Sequence, residues 1–209
     1  MTTTTEKTPQ MILRYRIGQR IVHAVLALSF LALLLTGLAL IWRPLAFLAA
    51  GGTSRLLHRV GAIGFLLVPI LYLLLDWRAA KELLVESFTY DKDDRAWFKK
   101  SLQYFMGRAA DMPPQGRLNA GQKIHHAGVV LMSAAVVFSG LVLWFGKSYL
   151  GQTGLAITVM IHDISMFTLT ILLIGHLYFT YVYKALSSMT TGYVTEEAAR
   201  LEHGKWVDE

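Results

Sequence analysis

The chain has 209 residues, of which 54% are hydrophobic and 16% charged, and its mean hydropathy of +0.44 lies in the range of membrane proteins. It contains no cysteine, which excludes a protein-ligated iron–sulfur cluster, a thioether-linked prosthetic group and any disulfide. The net charge of +6 follows where Lys and Arg cluster around membrane spans, so nucleic-acid binding is not required.

The leading MTTTTEKTPQ is polar and is expected to fray. Four apolar runs of spanning length follow, at about 21–42, 56–75, 124–145 and 155–183. In lipid, only an α-helix satisfies its own backbone hydrogen bonds over such a run, so the pattern predicts an all-α, four-helix transmembrane bundle without an internal repeat. The first run is too long for a signal-peptide core and lacks a small-residue cleavage site, so it stays as a helix. Trp42, Arg43 and Pro44 close it. In the second run, Gly61 and Gly64 form a groove for either a flat macrocycle or a neighbouring helix. Residues 79–119 make a long connection. There, Trp97, Phe98, Leu102 and Phe105 share one face, reading either as a helix in the membrane interface or as one packed on the bundle. Residues 185–209 form a polar tail to which no function is assigned.

Charge predicts orientation. Lys7, Arg14, Arg16 and Arg20 precede the first run, the long connection with Arg78 just before it holds eight Lys and Arg residues, and the tail adds Lys184, Arg200 and Lys205. The two short connections carry only Arg43, Arg55 and Lys147. By the positive-inside rule, both termini and the long connection face the cytoplasm.

The last run carries His162 and His176, fourteen positions apart. On a helix these lie roughly 21 Å apart along the axis and only about 40° apart around it, on one face at two membrane levels. His23 lies near the start of the first run and His58 near the start of the second. The up-down order matches His23 with His176 at the inner level, and His58 with His162 at the outer. Intramembrane histidines are functional by default. Neutral imidazole binds several transition metals, so residue type alone does not choose the ion. Two ligands per level, with no further donors for a tetrahedral zinc site, suit two b-type haems with bis-histidine iron. Arg20 and Arg55 stand near these ligands, to pair with propionates or simply to snorkel.

At these residues the chain resembles the cytochrome b (gamma) subunit of membrane-bound formate dehydrogenases. The likeness includes Arg20-Ile21-Val22-His23, Arg55-Leu56-Leu57-His58, Asn119-Ala120-Gly121-Gln122-Lys123, Ile161-His162 and His176-Leu177-Tyr178. The resemblance implies the same haem ligands and a cytoplasmic quinone site at Asn119, Gly121 and Gln122. Taken without it, that string reads as a turn and a helix start. It further implies an iron–sulfur partner subunit, a molybdenum or tungsten formate dehydrogenase catalytic subunit, and residence in the bacterial inner membrane. The chain would then anchor the complex and pass electrons to quinone, with formate chemistry left to a partner. Hydrogenase and thiosulfate reductase cytochromes share the histidine plan. A histidine-relay transporter of protons or metal is the reading from a different class. His125 and His126 depart from the family pattern, and serve either a proton relay or a wet helix mouth.

Overall fold

The computed structural model describes residues 9–208. Strand β1 (Met11–Leu13) leads into α1 (Ile17–Ile41), and short helical turns then precede α2 (Thr53–Leu75). Helices α3 (Trp77–Phe88), α4 (Lys92–Lys99) and α5 (Ser101–Phe105) fill the long connection. Next come α6 (Ala120–Leu141), α7 (Gln152–Val182), α8 (Leu186–Thr190), β2 (Tyr193–Thr195) and α9 (Glu196–Asp208). Four segments are long and apolar enough to cross a membrane: Ile17–Ile41, Arg43–Leu75, Ala120–Tyr149 and Gln152–Val182. The protein is thus an all-α, multi-pass membrane protein with one two-stranded ribbon among the described residues.

The spanning helices start three or four residues before the apolar runs do, because helical hydrogen bonding continues through polar residues at the ends of a run. The amide of Arg16 donates to Gln19 Oε1 (2.9 Å) just before α1, and α6 opens on Asn119. Between α1 and α2 the chain reverses through Gly51 (φ 78°) and Gly52 (φ 82°), left-handed conformations that a Cβ would disfavour. Past Leu141, α6 widens into a π-turn over Val142–Gly146 and then a 3₁₀ turn to Tyr149.

The described residues fall into two compact units. One comprises 21–85 and 125–176, and holds most of the four spans. Its surface is apolar: Leu28, Leu74 and Phe138 stand about 70% exposed or more, as side chains do when lipid is their solvent. Gly61 and Gly64 settle the open question about their groove. A Cβ on Gly61 would stand 3.3 Å from the Ser29 carbonyl, and one on Gly64 only 2.5 Å from Ser29 Oγ. Helix α1 occupies that groove, as small residues permit between membrane helices.

The other unit comprises 9–20, 86–124 and 177–208. Here one expectation changes. The aromatic residues of the long connection do not share one continuous helix, because the chain breaks at Lys100 between α4 and α5. Trp97 and Tyr104 turn inward to form a core with Ala109 and Ala120, while Leu102 and Phe105 stay exposed. The polar tail is folded: β2 pairs antiparallel with β1 (Met11 with Thr195, Leu13 with Tyr193), and α9 buries Ala199 and His203. Arg20 reaches back over the end of α8. Its guanidinium donates to the carbonyls of Met189 (2.7 Å), Thr190 and Thr191 (3.1 Å), closing the C-terminal end of α8. A capping box of Asp91 and Asp94 starts α4, and Asp94 also pairs with Lys123 at 2.7 Å, both largely buried. Of the leading segment, residues 1–8 lie outside the described residues.

Candidate functional site

The sequence placed four histidines in two couples, and the structure brings the same residues together. The ring centroids of His23 on α1 and His176 on α7 lie 6.1 Å apart, with planes inclined at 50°. Those of His58 on α2 and His162 on α7 lie 6.5 Å apart at 58°. Two imidazoles on opposite sides of one metal put their centroids roughly 6.3 Å apart, taking about 2.0 Å per metal–nitrogen bond and about 1.15 Å from nitrogen to ring centre. Both centroid separations lie close to that value. Among the described residues, no three His, Asp or Glu side chains group closely enough to hold an ion themselves. The remaining ligands would have to come from a group that already surrounds its metal in a plane, which fits a haem.

Hydroxyls aim two of the rings. Thr36 Oγ1 donates to the Ala32 carbonyl (2.6 Å), so it accepts from the Nδ1–H of His58 at 2.9 Å. Ser139 Oγ donates to the Ala135 carbonyl (2.7 Å) and lies 3.1 Å from His162 Nδ1. The Val136 carbonyl, also 3.1 Å from that nitrogen, can only accept. Hydrogen bonding thus assigns the proton to Nδ1 in both rings and leaves the Nε2 lone pair free for a metal. Gly37 and Gly140 follow the two hydroxyl residues, and a Cβ there would meet the same imidazoles at 3.5 and 3.2 Å.

The two matched arrangements recur at one constant offset in the sequence. Aligning α1 with α6 pairs Ile21 with Ile124, His23 with His126, Ala24 with Ala127, Ala32 with Ala135, Thr36 with Ser139 and Gly37 with Gly140. Each helix then aims a histidine of its successor, α2 or α7. At the other couple, His125 is a close neighbour. Its Nε2–H donates to the Leu172 carbonyl (3.1 Å), and its ring stacks on His176 at 5.6 Å. Arg55 is exposed.

The Asn119–Lys123 string belongs to the second unit and is given over to helix starting. The amide of Gln122 donates to Asn119 Oδ1 (2.9 Å), and the amide of Asn119 to Gln122 Oε1 (3.2 Å), a reciprocal capping box. Gly121 lies under Trp97, whose ring would stand 2.7 Å from a Cβ. Asn119 Nδ2 donates to Tyr104 Oη (3.0 Å), and the Tyr104 hydroxyl donates to Glu202 Oε2 (3.0 Å). Among the described residues, the Nε2 amide of Gln122 has no partner, and it is the string's one free side-chain donor.

Sequence reasoning missed Tyr104, Glu202 and His203. Burial pushes the Glu202 carboxyl up to about 7, against the opposing pull of the Tyr104 hydrogen bond and Arg14. Burial raises the Tyr104 hydroxyl as well, and the Glu202 charge adds to it. His203 donates from Nδ1 to the Gly116 carbonyl (3.0 Å), and burial with nearby Arg14 lowers it to about 3. A glutamate and a histidine side by side in a charged tail carry no periodic signal that would mark them as buried.

The profile of the prokaryotic cytochrome b561 family matches residues 14–192, most of the chain. A formate dehydrogenase cytochrome b556 subunit of Haemophilus influenzae is 25% identical over 213 aligned positions, covering 95% of this chain and 83% of that protein. The cytochrome b556(Fdn) subunit of the nitrate-inducible formate dehydrogenase of Escherichia coli K12 is 23% identical over 122 positions, 57% of this chain and 56% of its own length. The chain belongs to the prokaryotic cytochrome b561 family, and with four apolar helices it is a membrane cytochrome b, which implies haem b.

Proposed function

We propose that this chain is the membrane-anchoring di-haem subunit of a formate dehydrogenase complex, passing electrons from an iron–sulfur partner to quinone. The observation that carries this is the stand-off of two imidazole couples, 6.1 and 6.5 Å, each suited to one shared iron. A haem at each couple would supply a one-electron carrier at each of two levels. His23 and His176 would hold the inner group, and His58 and His162 the outer. Thr36 and Ser139 fix the outer imidazoles with Nε2 unprotonated. The names of the two relatives support formate dehydrogenase as the parent complex. The Lys and Arg bias puts both termini in the cytoplasm of a bacterium, beneath its inner membrane. There the free Gln122 amide, beside Asn119 and Gly121, donates to a quinone carbonyl. A catalytic partner with molybdenum or tungsten oxidises formate.

The test is haem content in purified, haem-supplied protein, measured as the pyridine haemochrome. Two haems are expected, and His162→Ala or His176→Ala should each remove mainly one. Unchanged content in both variants would refute the ligand assignment. Co-purification of a formate-oxidising subunit distinguishes this complex from a hydrogenase or a thiosulfate reductase. A folded protein without haem bands would favour the histidine-relay transporter.

A further inference from the structure

Glu202 is a carboxyl group out of place. It sits on α9, in a segment of alternating charge, yet among the described residues it forms no ion pair, and it is only partly exposed. Its Oε2 accepts from the buried Tyr104 hydroxyl at 3.0 Å, and Tyr104 in turn accepts from Asn119 Nδ2 at 3.0 Å. Asn119 and Gln122 clasp each other through backbone amides. Hydrogen bonds therefore link the Asn119 side chain, which Gln122 clasps, through Tyr104 to a half-buried carboxyl near the surface. Tyr104 is 5% exposed and Asn119 is 1% exposed, so water does not compete along the middle of it.

We propose that Glu202 and Tyr104 form the proton inlet for reduction of a quinone held at Gln122. This rests on the quinone reading given above and adds the source of its protons. Reducing a quinone to a quinol takes two electrons, drawn singly from reduced haem, and two protons. With Glu202 ionised, the Tyr104 hydroxyl is committed to the carboxylate and Asn119 fills its acceptor side. With Glu202 protonated, the carboxyl O–H donates to Tyr104 Oη and frees the phenolic O–H to turn towards a reduced quinone oxygen. In the transfer, the Tyr104 O–H bond breaks as the quinone O–H bond forms. The Glu202 proton makes the new Tyr104 O–H bond, and water reprotonates Glu202. Passing twice, this balances the quinol.

The surroundings suit a group that must release and regain a proton. Arg14, Tyr104 and Tyr183 are the charged and titratable groups that act on Glu202 or feel its charge. Arg14 is committed elsewhere, with its guanidinium over the Trp206 ring at 4.5 Å and donating to the Arg117 carbonyl. Tyr183 stacks on Tyr104 at 4.3 Å and donates its hydroxyl to the Tyr104 carbonyl (2.7 Å), which holds the relaying ring in place. The buried carboxyl, shifted to about 7, is populated in both states at neutral pH.

The test uses the intact complex, reduced with dithionite and mixed with decylubiquinone or menadione while haem reoxidation is followed from pH 5.5 to 8.5. Wild type should slow as pH rises through about 7. Glu202→Gln should be slower by about tenfold or more below that pH, and flat across the range, with unchanged haem content. Tyr104→Phe, which keeps the stacked ring, should behave likewise, and it decides the matter should Glu202→Gln fail to assemble. Independently of turnover, infrared difference spectra between pH 6 and pH 8 should contain a protonated-carboxyl band that Glu202→Gln lacks. Wild-type rates and pH profiles in both variants would overturn the inlet. Gln122→Ala isolates the underlying reading: a raised quinone KM supports the site, whereas unchanged quinone kinetics in this variant would remove the site itself.

Discussion

Gly121→Ala is the sharpest probe of why the Asn119–Lys123 string has its sequence. The added methyl carbon would lie 2.7 Å from Trp97 Cη2 and 3.1 Å from Cζ2, where carbon pairs prefer about 3.5–4.0 Å. The indole cannot withdraw cheaply. Trp97 is 3% exposed, the Phe98 ring meets it edge-on at 5.6 Å, and Tyr104 closes the other side at 5.0 Å. Overpacking of this kind costs about 1–3 kcal/mol. Trp97→Phe removes the offending atoms at the cost of a cavity of its own. The two changes should therefore compensate: the double variant should be more stable than the sum of the singles by about 1–2 kcal/mol. Thermal unfolding of the detergent-purified protein, followed by tryptophan fluorescence and haem absorbance, measures each corner of the cycle. Additivity within about 0.5 kcal/mol would refute the packing account and leave backbone approach to a ligand as the reason for the glycine.

Loss of an orienting hydroxyl should show at one haem level only. Thr36→Val is expected to weaken haem retention at the His58–His162 couple by about tenfold under detergent washing, and Ser139→Ala by less, since the Val136 carbonyl still accepts from His162. Equal retention in both variants and wild type would sink the orienting role. Glu202 also predicts a pH dependence of local stability. Its folded value of about 7 lies above the ordinary 4.5, so between these pH values the folded state binds more protons than the unfolded one and stability falls as pH rises. Glu202→Gln should therefore increase hydrogen-exchange protection of α9 at pH 8 and leave it unchanged below pH 4.5. Greater protection in wild type at pH 8 would contradict the sign.

The histidine couples were legible because a membrane span is a one-dimensional ruler. Length, up-down order and fourteen-residue spacing leave His162 and His176 few partners at their own depths. Helix starts lie three or four residues before the apolar runs, since hydropathy reports where lipid begins and not where backbone hydrogen bonding begins. The long connection and the tail resisted for a different reason. Trp97 and Leu102 carry the same apolar label, yet Trp97 is buried and Leu102 is 70% exposed. No periodicity could distinguish them once the helix breaks at Lys100. The pairing of β1 with β2 joins residues from opposite ends of the chain and has no local signature.

By itself, the order of residues determined that this chain crosses a membrane four times and presents imidazoles at two depths. Those features follow from the cost of burying unsatisfied backbone and polar groups in hydrocarbon, which acts on each segment independently. Tertiary structure alone decided which hydroxyl aims which ring, why Gly121 has no side chain, and that Glu202 shares a hydrogen bond with Tyr104. Each of these depends on atoms distant in sequence meeting within about 3 Å, and burial, not residue type, sets how such a group binds its proton.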